Sequence, residues 1–385
     1  MVGMAAACAL KDSGLHVVVV ERSEPVVRKS LGRDCRVSAI VMGNVRILQG
    51  LGVWEYVKDI GPMHAMRVWD DQRPGGIRFD AGEIGEDALG YLVENSILQA
   101  AMIKVAHLSD SIDICCPSVV NSVVWHSDSV EMHLDDGRGF RTPLIVAADG
   151  AHSWLRQQAG VGVYSHDYGQ KGIVATVRPQ MFHHGVAFQR FLSTGPLAVL
   201  PMSDGLCSIV WSAADQEADR LMALDEVAFL ENLNLTFGPV LGRVEAVGER
   251  AAFPLVARLA RHLVRHRLAL IGDAAHTIHP LAGLGVNLGL RDAMVLAQEI
   301  VDAKRFKEDW GELEVLNRYM QQRLPDILAV LGSMEGFHQL FTHNWPGLPE
   351  LRGLGMRLVG NSGPIKQILM RNSTGLNLPI PRKIG

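Results

Sequence analysis

Long hydrophobic runs are missing from this 385-residue sequence. No stretch approaches the roughly 20 apolar residues that a spanning helix requires, so the expectation is a soluble protein that at most touches a membrane from one side. Charge of one sign is not concentrated either: the net charge is −4, with no basic or acidic block. Nucleic-acid binding therefore has no electrostatic support. The opening carries no basic segment, and Lys11 and Asp12 interrupt its apolar run, which argues against a secretory signal. Cysteines are few and odd in number (Cys8, Cys35, Cys115, Cys116, Cys207), without zinc-type spacing. Reduced thiols of a cytoplasmic protein are the better reading. His276 and His279 lack a third ligand of suitable spacing, so no metal is expected. Without a nucleophile elbow or a Ser-His-Asp motif, hydrolase chemistry has no candidate.

What is present is enough apolar sequence to fill more than one core: hydrophobic residues make up 48% and charged residues 20%. The opening predicts a small-residue helix from Gly3, a turn at Ser13-Gly14 and a strand over 17–20 that ends on Glu21. Residues 37–51 have helical apolar spacing, and 66–80 read as two short strands about a Pro-Gly-Gly turn. A helix is expected over 96–107, strands over 111–115, 118–126 and 129–134, and a buried strand over 144–148. Between 164 and 265 alternation dominates, with strands at 172–177, 186–192, 198–201 and 207–212 and a helical stretch near 224–237. A strand over 267–271 follows, and then helices to the end. The fold class is therefore α/β. A discontinuous nucleotide domain (1–65, 88–163, 266–330) would hold an inserted, mostly antiparallel sheet domain (66–87, 164–265), followed by a helical region (331–385).

Three segments carry chemistry. In a dinucleotide fold, G-x-G-x-x-G joins a strand to a helix whose amides hold the pyrophosphate, and an acidic residue about 20 positions on takes the ribose. Gly3 fits the last glycine and Glu21 the acidic residue, with an ordinary small-residue helix as the plainer alternative. The strand and first two glycines of that fingerprint are not in the sequence. The opening thus reads as the motif's second half, from a misplaced start or a shortened chain, with poor cofactor retention as the expected consequence. The second segment, LIVAADGAHSWLRQQAGV, ends a buried strand at Asp149-Gly150 and continues into a helix with Arg156; taken alone, a strand-turn-helix whose aspartate merely caps the helix is the plainer reading. The third, LALIGDAAHTIHPLAGLGVNLGLRDAMVLAQEI, ends a strand at Gly272-Asp273, where a carboxylate can bind a polyol. Its glycine-rich turn starts a long helix near Val286, whose amides would face an anion.

In this order and spacing the three segments resemble the single-component flavin-dependent aromatic hydroxylases. GRDCRVSAI (32–40), LGYLVEN (89–95), FQRFLSTGPLAVLP (188–201), CSIVWS (207–212), GDAAHTIHPLAGLGVNLG (272–289) and PIKQILMRNSTGL (364–376) are similar to the ubiquinone-biosynthesis hydroxylases, the UbiH/UbiF/VisC group. The resemblance spans essentially the whole chain. It implies a Rossmann-like FAD-binding domain of the p-hydroxybenzoate hydroxylase type. Gly3 and Glu21 would serve the ADP half of FAD, and Arg36 the phosphates and the flavin's neighbourhood. Asp149 and Gly150 would support FAD and the transient NAD(P)H, and Asp273 the ribityl chain. Pro280, Gly283, Gly285, Val286 and Asn287 would form the loop and helix start beside the isoalloxazine. The family's glutamine between the two glycines is Leu284 here.

The implied activity is hydroxylation of the aromatic ring of a polyprenylated phenol with NAD(P)H and O2, through a flavin C4a-hydroperoxide. Tyr168, Gln189, Phe191 and Trp211, with Pro280, are the candidates for the substrate pocket. No general base is identified. A basic, apolar C-terminal face (Arg352, Arg357, Lys366, Arg371, Arg382, Lys383) is either a helical cap or a peripheral contact with the inner face of a membrane. A homo-oligomer and a ubiquinone-biosynthesis complex are further candidate partnerships. A flavoprotein reductase or dehydrogenase on the same fold, and a non-catalytic subunit of such a complex, are the rival readings.

Overall fold

A computed structural model of the chain describes residues 1–25, 29–70, 76–278, 285–342, 359–360 and 362–377. The opening helix, Val2–Leu10, buries every residue from Ala5 to Leu10. Its small side chains allow that close approach: a Cβ on Gly3 would stand 3.0 Å from the Cβ of Ala148. Strand Val17–Val20 then pairs in parallel with Ile112–Cys115, which follows helix Asn95–His107. A second parallel pair joins Ile145–Ala147 to Leu268–Leu270. Parallel strands need such long crossovers, which is why residues far apart in sequence end side by side here. Leu98, Met102, Leu270, Leu290 and Tyr319, all fully buried, belong to the apolar cluster that unites these elements with the long helices Gly285–Phe306 and Leu313–Thr342.

Several expectations need correction. Residues 37–51 are not one helix: Val37–Val41 is a strand, and only Met42–Gly50 is helical. The strand pairs antiparallel with Gly90–Glu94, and the Val41 N–H at its end donates to Asn287 Oδ1 at 3.0 Å. Tertiary pairing of a Val- and Ile-containing segment overrides a spacing that also suits a helix. The helical stretch near 224–237 is preceded by a second helix, Asp215–Ala223, and the helix there starts at Glu226 because the Asp225 carboxylate accepts the Ala228 N–H at 2.8 Å. Strands Gly139–Thr142 and Ala251–Ala260 were not expected, and the strand placed at 172–177 extends over Val163–Pro179.

That long strand is central to a nine-stranded sheet, which takes in Ala65–Asp70, Ile77–Asp80, Val186–Leu192, Gly195–Pro201, Cys207–Ala214 and Ala251–Ala260. All its pairings are antiparallel except Val186–Leu192 with Ala65–Asp70. Alternation gives the sheet two unlike faces. One carries Ile173, Ala175, Val177, Phe188, Leu197, Val199, Ile209 and Trp211 against Leu221, Phe229, Leu233 and Phe237 of the two helices. The other carries Gln189, Phe191, Thr176, Ser208 and Ser212, all buried. Ala187 and Leu200 on this second face pack with Ala39, Met63, Leu92 and Met370, which turns it toward the antiparallel strands Val37–Val41 and Gly90–Glu94.

Candidate functional site

The two Asp-bearing strand ends meet at the start of the first helix. A Cβ on Gly272 would come within 3.1 Å of Val2, and one on Gly289 within 2.7 Å. With Gly3 against Ala148, the helix thus touches both Asp149-Gly150 and Gly272-Asp273 neighbourhoods. Asp273 is exposed, yet desolvation by the surrounding protein raises its carboxyl pKa, while His276 and Arg258 pull it back.

Arg156 braces the two turns. Its Nη1 donates to the Ala274 carbonyl at 2.8 Å and its Nη2 to the Ala151 carbonyl at 2.9 Å. Burial lowers its pKa, opposed by Asp149. Asp149 Oδ2 accepts the Leu155 N–H at 3.1 Å, which fixes the carboxylate to the following helix. Gly150 has φ +86, a conformation that disfavours a side chain, and the place a Cβ would take is open.

Arg36 is held by the pairing of two strings that carried the resemblance. Asp34 is fully buried, and its carboxylate accepts the Arg36 N–H at 3.0 Å and the Ser96 N–H at 3.2 Å. Glu94 accepts the Asp34 N–H at 2.8 Å and Arg33 Nη1 at 3.1 Å. The Arg36 side chain itself is exposed. At the helix start, a Cβ on Gly285 would meet nothing among the described residues, and Val286 is half-buried. Asn287 is buried and points elsewhere: its Oδ1 accepts the Val41 N–H and Asn44 Nδ2 (2.8 Å), and its Nδ2 donates to the Ala39 carbonyl at 2.6 Å. Its side chain bolts the 39–44 segment to the helix. Pro280 and Gly283, like Leu284 between the glycines, lie outside the described residues.

The sheet separates the aromatic-pocket candidates. Gln189 and Phe191 lie on the face turned to strands Val37–Val41 and Gly90–Glu94, opposite Ala198 and Pro196. Trp211 lies on the other face, 4% exposed, with its ring 6.1 Å from that of Phe229. It is a packing residue, removed from the set by strand parity. Tyr168 sits at the ladder irregularity between Asp167 and Lys171, where its hydroxyl donates to Glu335 Oε2 at 3.1 Å. Burial and Glu335 push its pKa up to about 12. Sequence reading missed Thr176, Ser208 and Ser212, which extend the polar row on the face of Gln189. Thr176 stands opposite Ser208, and Ser208 opposite Leu200. Alternation along 207–212 is the available signal; it marks a strand without saying which face meets which partner.

The donor set fits FAD. Glu21 is exposed at the end of its strand, where its carboxylate could take ribose hydroxyls, and the free amides at the start of the first helix could face an anion. Asp273 is an exposed carboxylate that could bind the ribityl hydroxyls. The positions that Gly150 and Gly285 leave open among the described residues give backbone access that side chains would block.

A family model described as FAD binding domain matches residues 1–332. Ubiquinone hydroxylase UbiL of Rhodospirillum rubrum is 36% identical over 97% of this chain and 87% of its own length. The 3-demethoxyubiquinol 3-hydroxylase of Escherichia coli is 35% identical over 98% of this chain and 96% of its own. Among solved structures, p-nitrophenol 4-monooxygenase PnpA from Pseudomonas putida superposes with a TM-score of 0.80 at 18% identity, covering 98% of this chain and 95% of that one. Klebsiella pneumoniae HpxO, complexed with FAD and uric acid, gives 0.75 at 20% identity over 97% and 94%. The fold is thus that of the p-hydroxybenzoate hydroxylase-like flavoproteins, and the chain belongs to the FAD binding domain family, in its branch of ubiquinone-biosynthesis hydroxylases.

Proposed function

We propose that this chain is an FAD-dependent monooxygenase that hydroxylates the aromatic ring of a polyprenylated phenol on the way to ubiquinone, with NAD(P)H as transient reductant and O2 as co-substrate. The observation that carries the reading is near-complete alignment with relatives named for hydroxylation of ubiquinone and its precursors. FAD, when bound, supplies the redox and oxygen-activating chemistry. The protein's own work is binding, orientation and exclusion of water. Glu21 and the first helix hold the ADP half, Arg156 keeps the Asp149 and Asp273 turns in register, and Asp273 takes the ribityl chain. Gln189, Phe191 and the Thr176–Ser208 row form the wall against which the phenol lies.

Helix Gly363–Ser373 supports a peripheral membrane contact for the polyprenyl tail. Ile365, Ile368 and Leu369 are 53%, 58% and 46% exposed on it, while Lys366 and Met370 face inward. Changing the three to serine should reduce co-sedimentation with anionic liposomes; unchanged co-sedimentation contradicts the contact. The reaction itself is tested by supplying FAD-loaded protein with a short-tailed prenylphenol and NAD(P)H. Substrate-dependent appearance of a hydroxylated ring supports the proposal. NAD(P)H oxidation with a reduced product and no added oxygen favours the reductase reading, and a protein that takes up no FAD favours the non-catalytic one.

A further inference from the structure

A buried charged cluster lies one layer behind the Gly272-Asp273 turn. Asp292 is 0% exposed, and His276 and Arg323 are each 2% exposed. Charges so deep are costly unless every lone pair is used. Both oxygens of Asp292 are used: Oδ1 accepts Arg323 Nε at 2.8 Å, and Oδ2 contacts His276 Nε2 at 2.6 Å and accepts the Gly272 N–H at 3.0 Å. Burial alone would raise the Asp292 carboxyl, but His276 and Arg323 hold it below the usual range. Arg323 is anchored in turn by Asp326 at 2.6 Å.

The position of this carboxylate is what gives it a role. Asp292 belongs to the helix that starts at Gly285, and it bonds the amide of Gly272, whose φ is +59. One side chain therefore joins the turn that presents Asp273 to the helix start beside it. A purely structural cluster could be replaced by apolar residues without loss of packing. Apolar residues could not hold the Gly272 amide.

We propose that Asp292, with His276 and Arg323, is a positioning unit that holds the Gly272-Asp273 turn in the conformation that receives the ribityl–flavin half of FAD. The ADP half depends instead on Glu21 and the first helix. The inference rests on FAD binding by the parent chain. An Asn at 292 keeps the shape, but its Nδ2 must face either the Gly272 amide and His276 or Arg323, donor against donor.

Titrations of the parent and of Asp292→Asn with FAD, by flavin-fluorescence quenching, and with ADP, by calorimetry, separate the two halves. Asp292→Asn should bind FAD about tenfold more weakly or worse, the scale of a lost hydrogen bond to a charged group, with ADP affinity unchanged. Equal weakening for both ligands marks general loosening and overturns the inference, as does unchanged FAD affinity. Should Asp292→Asn fail to fold, His276→Leu and His276→Gln serve. Leu should weaken FAD alone, and Gln, which restores a donor toward Asp292, should recover most of the loss. Equal FAD affinity of these two variants overturns the inference. A parent chain that takes up no FAD overturns the cofactor assignment together with it; parent and variant binding FAD alike overturn this inference alone.

Discussion

The site draws on two regions that are built differently. In the nucleotide half the candidate residues sit at strand ends: Glu21 after Val17–Val20, Asp149 after Ile145–Ala147 and Asp273 after Leu268–Leu270. In the sheet half they sit on a strand face, Gln189 and Phe191 on one side and Trp211 on the other. A strand end presents its turn to a ligand whatever the neighbouring register is. A strand face presents a residue only if parity and register across several strands put it on the right side. The first arrangement suits a ligand held by turns and backbone, the second one that is read by side chains on a face.

The comparison is most exposed to test at Trp211. As a core residue its replacement by alanine should cost about 3–5 kcal/mol of stability, read from the denaturant midpoint. The Michaelis constant for the phenol should stay near that of the parent; a raised constant with unchanged stability would return Trp211 to the pocket. Asp273→Asn should next weaken FAD binding about tenfold or more, measured by flavin fluorescence. This change also has a pH signature. Because burial raises the Asp273 pKa, the folded state binds that proton more tightly than the unfolded one. The group's stabilising contribution is therefore present below the ordinary carboxylate range and lost as pH rises through the raised value. At neutral pH the FAD-free Asp273→Asn protein should melt higher than the FAD-free parent while holding FAD less well, and a lower melting temperature would contradict this. Gly150→Ala should cost about 1–2 kcal/mol, since φ +86 is unfavourable for any Cβ, again by denaturation. The smallest effect is expected from Gln189→Leu: a loss of about three- to tenfold in kcat/KM for the phenol with FAD affinity unchanged.

The same contrast explains what could be read in advance. Asp-Gly and Gly-Asp each lie within two residues of a buried strand, so local pattern alone located them, and the opening helix and strand were legible for the same reason. The assignment of 37–51 to a single helix failed because Val41 is fixed by Asn287, some 246 positions away in sequence. Trp211 was grouped with Gln189 because an alternating pattern identifies a strand without saying which face meets which partner. The role of Asp292 was invisible: one aspartate in a helical run gives no sign that it reaches back to the amide of Gly272.

The proposed reaction inserts one atom of dioxygen into a phenolic ring. Its most direct test is mass spectrometry of the product formed by FAD-loaded protein from a short-tailed prenylphenol and NAD(P)H under ¹⁸O-labelled dioxygen. One labelled oxygen atom is expected on the ring, dependent on both FAD and reductant. Oxidation of NAD(P)H in step with substrate conversion but with no label in the product would contradict it.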